Sequence, residues 1–526
     1  MSRRVANLSD LVRQAARRHG AAIAVVWGEA CWSWAAFDRR IDAIAAGLAV
    51  RGVGKGDRVL VQSRNCNAMF EAMFACFRLG AVYVPANFRQ TAEEVAWLGQ
   101  ASGATALICH RDFPLHAAAV VAACPGMACV IAIGAASFGE DIDDVVARHA
   151  GAEVAMASVE HDDPAWFFFT SGTTGRPKAA VLTHGQMGFI VNNHLCDLMP
   201  GLTEADASLV VAPLSHGAGI HQLVQVARGV KTVLLSGERF DPEEAWALVE
   251  RWRISTMFTV PTIVKLLTEH GAVDRYDHSS LRYVIYAGAP MYREDQKHAL
   301  RKLGPVLVQY FGLGEVTGAI TVLPRELHRL EDEVRAGSCG FARTGMQISI
   351  QDAAGGELVA GETGEICVCG VGVFAGYYDN SEANAAAFRD GWFRTGDLGH
   401  LDAEGFLYIT GRQSDMYISG GSNVYPREVE EKILQHPAVA EVAVVGMPDR
   451  VWGEVGVAVC VLRPGASPDE AVLDEAALLE WLGDRLGRYK QPRRAYFWEA
   501  LPKSAYGKVT KALIRSELTA RGLGGG

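Results

Sequence analysis

A chain of 526 residues is longer than one hydrophobic core usually serves, so two or more domains are expected, one of them large and itself compound. With 49% apolar and 21% charged residues the composition is that of a folded globular protein, and a net charge of −10 with scattered acids excludes a basic nucleic-acid face. Eleven cysteines, an odd number without a CxxC pair, exclude a disulfide scaffold and fit a reducing cytoplasm.

The opening MSRRVANLSDLVRQAARRHG has no apolar signal core, and no apolar run reaches the roughly 18 residues of a membrane span. In chain order, the segment 37–52 has helical period: Phe37, Ile41, Ile44, Ala45 and Leu48 share a face, and Gly52 can close the end. Short β-branched runs follow at 56–62, 104–110, 127–134 and 231–236, alternating with helical segments. That alternation predicts an α/β fold with mainly parallel sheets and active groups at the C-terminal ends of strands. From about 355 to 410 the texture changes to short strands and glycine turns, which predicts an antiparallel β subdomain. Cys367 and Cys369 alternate there on one strand face and read as packing, since no His or Cys stands nearby at metal spacing. After GRQSD and the polar passage YISGGSNVYP comes a new α/β pattern: a helix from Pro426, strands AEVAVVG and GVAVCVL, a helix around 471–487 and a strand AYFW. A boundary near Asp415 therefore divides a large N-terminal domain, 1–414, from a small, mobile C-terminal α+β domain, 415–526.

One loop demands chemistry. FFFTSGTTGRPKAAV, at 167–181, runs three phenylalanines into hydroxyls, glycines and one lysine, a composition that offers N–H and O–H donors to polyphosphate oxygens without bulk in the way. A Walker A loop is the rival, but Lys178 lies three residues past Gly175, behind Pro177 and before Ala179, so that spacing fails.

TSGTTGRPK resembles the phosphate-loop signature of the AMP-forming, adenylate-forming enzymes, a family of acyl-CoA synthetases, carrier-loading adenylation domains and luciferases. Companion motifs follow in the family's order: APLSHGAG (212–219), YAGAPM (286–291), YFGLGEVTG (310–318), GYYDNSEANAAAFRDGWFRTGDLG (376–399), GRQSDMYISGGSNVYPREVE (411–430) and PKSAYGK (502–508). The similarity covers nearly the whole chain and is nearest to the acyl-CoA synthetase branch.

The resemblance implies a two-step ligation: a carboxylate attacks the α-phosphorus of ATP, releasing pyrophosphate, and the thiol of coenzyme A then takes the acyl group from the adenylate. Positioning and N–H or cationic stabilisation suit that chemistry better than a covalent nucleophile. By resemblance, Thr170, Ser171, Gly172, Thr173, Thr174, Gly175 and Lys178 bind the phosphates, Gly288, Ala289, Pro290, Tyr310, Phe311 and Gly312 surround the adenine, and Asp397 and Arg412 meet the ribose. Glu315 is expected to hold Mg²⁺, a hard cation that prefers oxygen. Lys508 is the expected catalytic lysine, with Lys178 contributing charge or a structural link. For the acid, His216, Gln222, Ala287, Gly288 and Gly312 are expected contacts, although a buried, hydrogen-bonded histidine is an equal reading of His216. Ser419, Gly420 and Gly421 would line the pantetheine path after the C-terminal domain rotates about Asp415.

The pattern departs from the family at one motif: Phe311-Gly312-Leu313-Gly314-Glu315 has phenylalanine for the usual tyrosine and Gly314 for the usual threonine, with Thr317 as a candidate replacement hydroxyl. Alternatives are a donor of acyl adenylate to a carrier protein's phosphopantetheine, against which the lack of an appended carrier domain argues, a nucleotide-binding homologue without ligase activity, and, more remotely, an oxygen-dependent luciferase-like enzyme. The acid is expected to be a monocarboxylate, short to medium aliphatic or aromatic. The expected partners are small molecules, with no nucleic acid, no transmembrane segment and room for a homodimer.

Overall fold

The strand Pro164–Thr170 explains the triple phenylalanine: it lies inside a sheet with apolar layers on both faces. Phe167 and Phe169 enter one core, and Trp166 and Phe168 enter the opposite one, the period of two expected of a strand buried on both sides. Trp166 meets Tyr83 edge to face at 4.9 Å. In this computed structural model the described residues are 5–523, except 171–175, 238, 290, 332–334, 336, 420–421, 464–472, 484 and 504–508.

Among the described residues four sheets form. The first has seven strands, in the order Glu140–Asp141, Cys129–Ile133, Ala106–His110, Arg58–Gln62, Val82–Ala86, Pro164–Thr170 and Lys178–Thr183. All its pairings are parallel except the last, where Lys178–Thr183 returns antiparallel to Pro164–Thr170 with Thr170 opposite Lys178. The second has nine strands; Ile23–Trp27, Lys231–Leu234, Ala207–Val210, Thr256–Thr259, Tyr283–Tyr286 and Leu307–Phe311 run parallel, with antiparallel strands at both edges. Both sheets share the largest core cluster, in which Trp34, Phe37, Phe70, Phe74, Phe77 and Trp166 are buried. The helix Trp34–Ala49 buries Phe37, Ile41, Ile44, Ala45 and Leu48 as the spacing predicted, and ends before Gly52, whose φ of +87° lies in the following turn.

Residues 346–412 carry an antiparallel five-stranded sheet, and Cys367 is buried in its strand Gly364–Gly370 while Cys369, on the same face, is half-buried. After Asp415 a smaller unit follows, with the helix Pro426–Ile433 packed on the long hairpin Val439–Asp449 and Gly453–Leu462. The strand Arg494–Phe497 joins that hairpin in parallel. The fold is α/β: a large N-terminal part with parallel sheets and an antiparallel subdomain, then a small C-terminal α+β part. The helix expected around 471–487 is shorter, Glu475–Leu482, because Asp474 caps it at one end and Gly483 follows it at the other.

Candidate active site

Strand ends and one added strand-like segment assemble the site. Residues 375–378 lie along the outer edge of Lys178–Thr183: the Val181 amide donates to the Gly376 carbonyl at 2.9 Å, the Ala375 amide to Val181 at 3.1 Å, and the Tyr378 amide to Ala179 at 2.9 Å. Asn384 clamps the backbone of Tyr377 from both sides, accepting from its amide at 2.6 Å and donating to its carbonyl at 3.0 Å. Tyr377 is thereby aimed at Glu315, which comes from a different sheet on the short 3₁₀ turn Gly314–Val316.

Glu315 is buried, and two hydroxyls reach the same oxygen: Thr170 donates to Oε1 at 2.8 Å and Tyr377 donates to it at 3.0 Å. No hydrogen bond to Oε2 is found among the described residues. Burial, together with the Glu315 charge, pushes the Tyr377 phenol well above its ordinary range, so it stays protonated as a donor. Lys178 Nζ stands 5.4 Å from the centroid of the Tyr377 ring. Thus Thr170, Lys178 and Glu315 lie near one another, and the hydroxyl on the carboxylate is that of Thr170 and not of Thr317. Thr317 has a φ of +49°, and its buried Oγ1 has no hydrogen-bond partner among the described residues.

Asp397 and Arg412 are register partners on adjacent antiparallel strands, and Arg412 Nε donates to Asp397 Oδ1 at 3.2 Å. Asp397 is buried while the Arg412 side chain is half-exposed, so the carboxylate is fixed and its partner can turn outward. The Arg412 carbonyl accepts from the amides of Asp415 at 3.0 Å and Met416 at 3.1 Å, a tight turn that leads into the C-terminal part. That part touches the N-terminal one through Arg427, which donates to the Ile409 carbonyl at 3.0 Å, and Lys265, which donates to the Ala440 carbonyl at 3.5 Å.

Gly288 and Ala289 are exposed just beyond the strand Tyr283–Tyr286, whereas Ala287 is buried. Gly312 is glycine because a Cβ there would sit 2.4 Å from the backbone of Gly318, so the motif folds on itself. Ser419 is buried in the strand Tyr417–Ser419. Ser171, Gly172, Thr173, Thr174, Gly175, Pro290, Gly420, Gly421 and Lys508 lie outside the described residues.

Two expected contacts need correction. Gln222, expected against the acid, turns into the nine-stranded sheet, where Oε1 accepts from Thr232 at 2.7 Å and Nε2 donates to Ser208 at 3.3 Å, so both ends of the amide are engaged inside the sheet. Tyr310, expected beside adenine, points to the opposite sheet face from Phe311, as alternation along Leu307–Phe311 requires. Its hydroxyl lies 3.4 Å from His221 Nε2.

Around Tyr310 lies a group that sequence reasoning missed. Phe258, His221 and Tyr310 are near-parallel, with Phe258 and His221 centroids 4.2 Å apart and Phe258 the half-buried member. Burial pushes His221 down to about 3 and His194 far below its ordinary value, so both are neutral. Arg343, buried behind them, reaches His194 Nδ1 at 3.0 Å and Asp197 at 3.6 Å, and burial lowers it to about 10. The motif GYYDN contained a signal for Tyr377; nothing in the spacing signalled Phe258 or Arg343.

The chain is similar along its length to known proteins. The family profile described as AMP-binding enzyme matches residues 12–378, and that described as AMP-binding enzyme C-terminal domain matches 428–508. A feruloyl-CoA synthase from Amycolatopsis sp is 36% identical over 95% of this chain and 96% of its own length. A long-chain-fatty-acid–CoA ligase of Mycobacterium tuberculosis is 34% identical over 90% of each. Among solved structures, ATP-bound MatB from Rhodopseudomonas palustris superposes with a TM-score of 0.87 at 29% identity, covering 98% of this chain and 99% of that one.

Proposed function

We infer that this chain, which belongs to the AMP-binding enzyme family, is an ATP-dependent acid:CoA ligase. In the first step a carboxylate oxygen forms a bond to the α-phosphorus of ATP as the bond to the pyrophosphate oxygen breaks. In the second the thiol sulfur of coenzyme A bonds to the acyl carbon, AMP departs, and the thiol proton is released.

The observation that carries the reading is the double clamp on Glu315 by Thr170, at the end of the strand Pro164–Thr170, and Tyr377. The donor set fits Mg²⁺: one oriented carboxylate whose Oε2 takes no hydrogen bond from the described residues suits an ion bound mainly through substrate phosphates. When bound, that ion would draw charge from the phosphate oxygens. Thr170 and Tyr377 hold the carboxylate, Lys178 adds positive charge beside them, and Asp397 offers paired acceptors to the ribose hydroxyls with Arg412 at its side. Lys508 brings its ammonium to the α-phosphate and the attacking carboxylate. Asp415 is the hinge dividing 1–414 from 415–526, and rotation about it exchanges Lys508 for Ser419, Gly420 and Gly421 at the carbonyl.

The acid is a monocarboxylate with a flat aromatic group. Arg343, 6.0 Å from the Tyr310 ring, is engaged with His194, Asp197 and the Gly318 carbonyl, and so is not offered to a second carboxylate. Phe258, backed by the parallel His221 ring, presents an aromatic face. The eleven free thiols fit a cytoplasmic enzyme. Among the described residues no helix is long and apolar enough to cross a membrane.

The deciding experiment incubates the protein with ATP, Mg²⁺ and a panel of aryl and alkyl acids, and measures pyrophosphate without CoA and acyl-CoA with it. Acid-dependent pyrophosphate followed by CoA-dependent AMP release is expected, with aryl acids ahead. ATP binding without any acid-dependent turnover would overturn the ligase reading, and transfer only to a carrier protein's phosphopantetheine would overturn CoA as the acceptor.

A further inference from the structure

Gly314 stands where the family pattern has threonine, and its surroundings say why. It occupies the ordinary right-handed region within the turn Gly314–Val316, so glycine is not needed for backbone freedom. It is needed for space. A Cβ on Gly314 would lie 2.6 Å from Cδ1 and Cε1 of Phe168 and 3.0 Å from Cγ2 of Thr170. Phe168 is a buried ring within a strand, not the free end of a flexible chain, so it cannot step aside cheaply.

The same ring touches a second expected site residue. Phe168 and His216 have centroids 4.6 Å apart with planes at 43°. His216 closes the turn before the helix Gly217–Arg228, its amide donating to the Pro213 carbonyl at 3.1 Å and its carbonyl accepting from Gly219 at 2.9 Å. That turn also rests on Trp166, two residues before Phe168 on the same strand face: a Cβ on Gly219 would come within 2.8 Å of the indole. Trp166 and Phe168 therefore back the start of that helix and its His216 turn together, and the Phe168 ring occupies the space beside Gly314 that a side chain there would need.

We propose that Phe168 is a positioning residue for the reaction: its ring fills the volume vacated at Gly314 and sets the His216 imidazole at the mouth of the acyl site. Thr170, two residues along the strand, supplies to Glu315 the hydroxyl that position 314 does not. The placement of His216 beside the acid rests on the ligase reading; the coupling between positions 168 and 314 does not. The departure from the family pattern is thus one half of a compensated pair, a large ring at 168 with no side chain at 314.

The test uses Phe168→Leu, Gly314→Thr and the double variant, with pyrophosphate release measured against acid and against ATP, and melting temperature measured in parallel. Gly314→Thr alone should lose about a hundredfold in kcat/KM, because the threonine and the ring compete for one volume. Phe168→Leu should raise KM for the acid about tenfold while leaving KM for ATP within about twofold. The double variant should keep the raised acid KM of Phe168→Leu but escape the clash, recovering to within about tenfold of wild type, far better than the product of the single losses. Equal shifts in both KM values for Phe168→Leu would reduce the ring to a structural role and overturn the proposal. Singles that merely multiply in the double would do the same. If Gly314→Thr fails to fold, a soluble and active double variant still supports the coupling, and an insoluble one refutes it. A wild-type protein that turns over no acid would remove the ligase reading; the 168–314 coupling then stands if the melting-temperature loss of Gly314→Thr is largely recovered in the double variant and falls if the single losses add.

Discussion

Replacing Tyr377 by phenylalanine removes one oxygen atom and little else. The ring that Lys178 faces at 5.4 Å remains, and the backbone is still held by Asn384. What disappears is the 3.0 Å hydrogen bond to Glu315 Oε1, leaving the 2.8 Å bond from Thr170 as the carboxylate's remaining clamp. A hydrogen bond to an ionised acceptor contributes about 1.5–3 kcal/mol, and Glu315 is too buried for water to replace the donor fully. Part of that loss falls on stability, at about 1 kcal/mol, and the rest on orientation of Oε2. Since about 1.4 kcal/mol is a factor of ten, the Mg²⁺ concentration giving half-maximal pyrophosphate release should rise about tenfold. KM for the acid should stay within about twofold, because the acyl site is not touched. The assay is initial-rate pyrophosphate release against free Mg²⁺ at saturating ATP and acid, with a melting curve for each protein. An unchanged Mg²⁺ dependence would show that Glu315 does not hold the ion or that Tyr377 does not orient it. A fall in kcat at constant Mg²⁺ dependence would assign Tyr377 another task.

Lys508→Ala should reduce acid-dependent pyrophosphate release by at least about a hundredfold while sparing thioester formation from supplied acyl adenylate, the scale of removing one stabilising group; equal loss of both half-reactions would refute its assignment to the first step. Asp415→Pro fixes φ and removes the amide that donates to Arg412 at 3.0 Å, so CoA-dependent turnover should fall far more than adenylation, and an unimpaired second step would eliminate the hinge. Stability should depend on pH through buried neutral histidines. Burial lowers His184 and His328 to about 4 and His221 to about 3, below the value near 6.5 of an unfolded histidine. The unfolded chain therefore binds more protons at moderately acid pH, and the contribution, complete above about pH 6.5, declines below it by about 2 kcal/mol per histidine at pH 5. Calorimetric melting at pH 7.5 and 5.0 should show a clear fall, and coincident curves would mean that these rings are hydrated and protonated in the folded state.

How far a residue's partners lie along the chain decided what could be read from the sequence. The strand Pro164–Thr170 was legible because burial on both faces leaves an uninterrupted apolar run, and Phe37 to Leu48 because a helix with one buried face has a visible period. The helix Gly217–Arg228 has no such signal in its first part: Ala218 to Val226 are all buried, so nothing in the pattern says which side meets the sheet and which the acyl site. Gln222 was misplaced for that reason, and Thr232 and Ser208, ten and fourteen residues away, are what settle its direction. Glu315 was recognisable from its motif, but its clamps come from positions 145 residues before and 62 residues after it, a juxtaposition that only the packing of two sheets creates. Gly314 shows the same limit from the other side. As a letter in a motif it is a missing hydroxyl; against Phe168 it is the space that lets a strand from the other sheet close the site. A motif reports which groups a reaction needs, and it is silent on which neighbours hold them. Those neighbours, Phe168, Tyr377 and Asn384, are where substitutions distinguish a folded binding site from a working one.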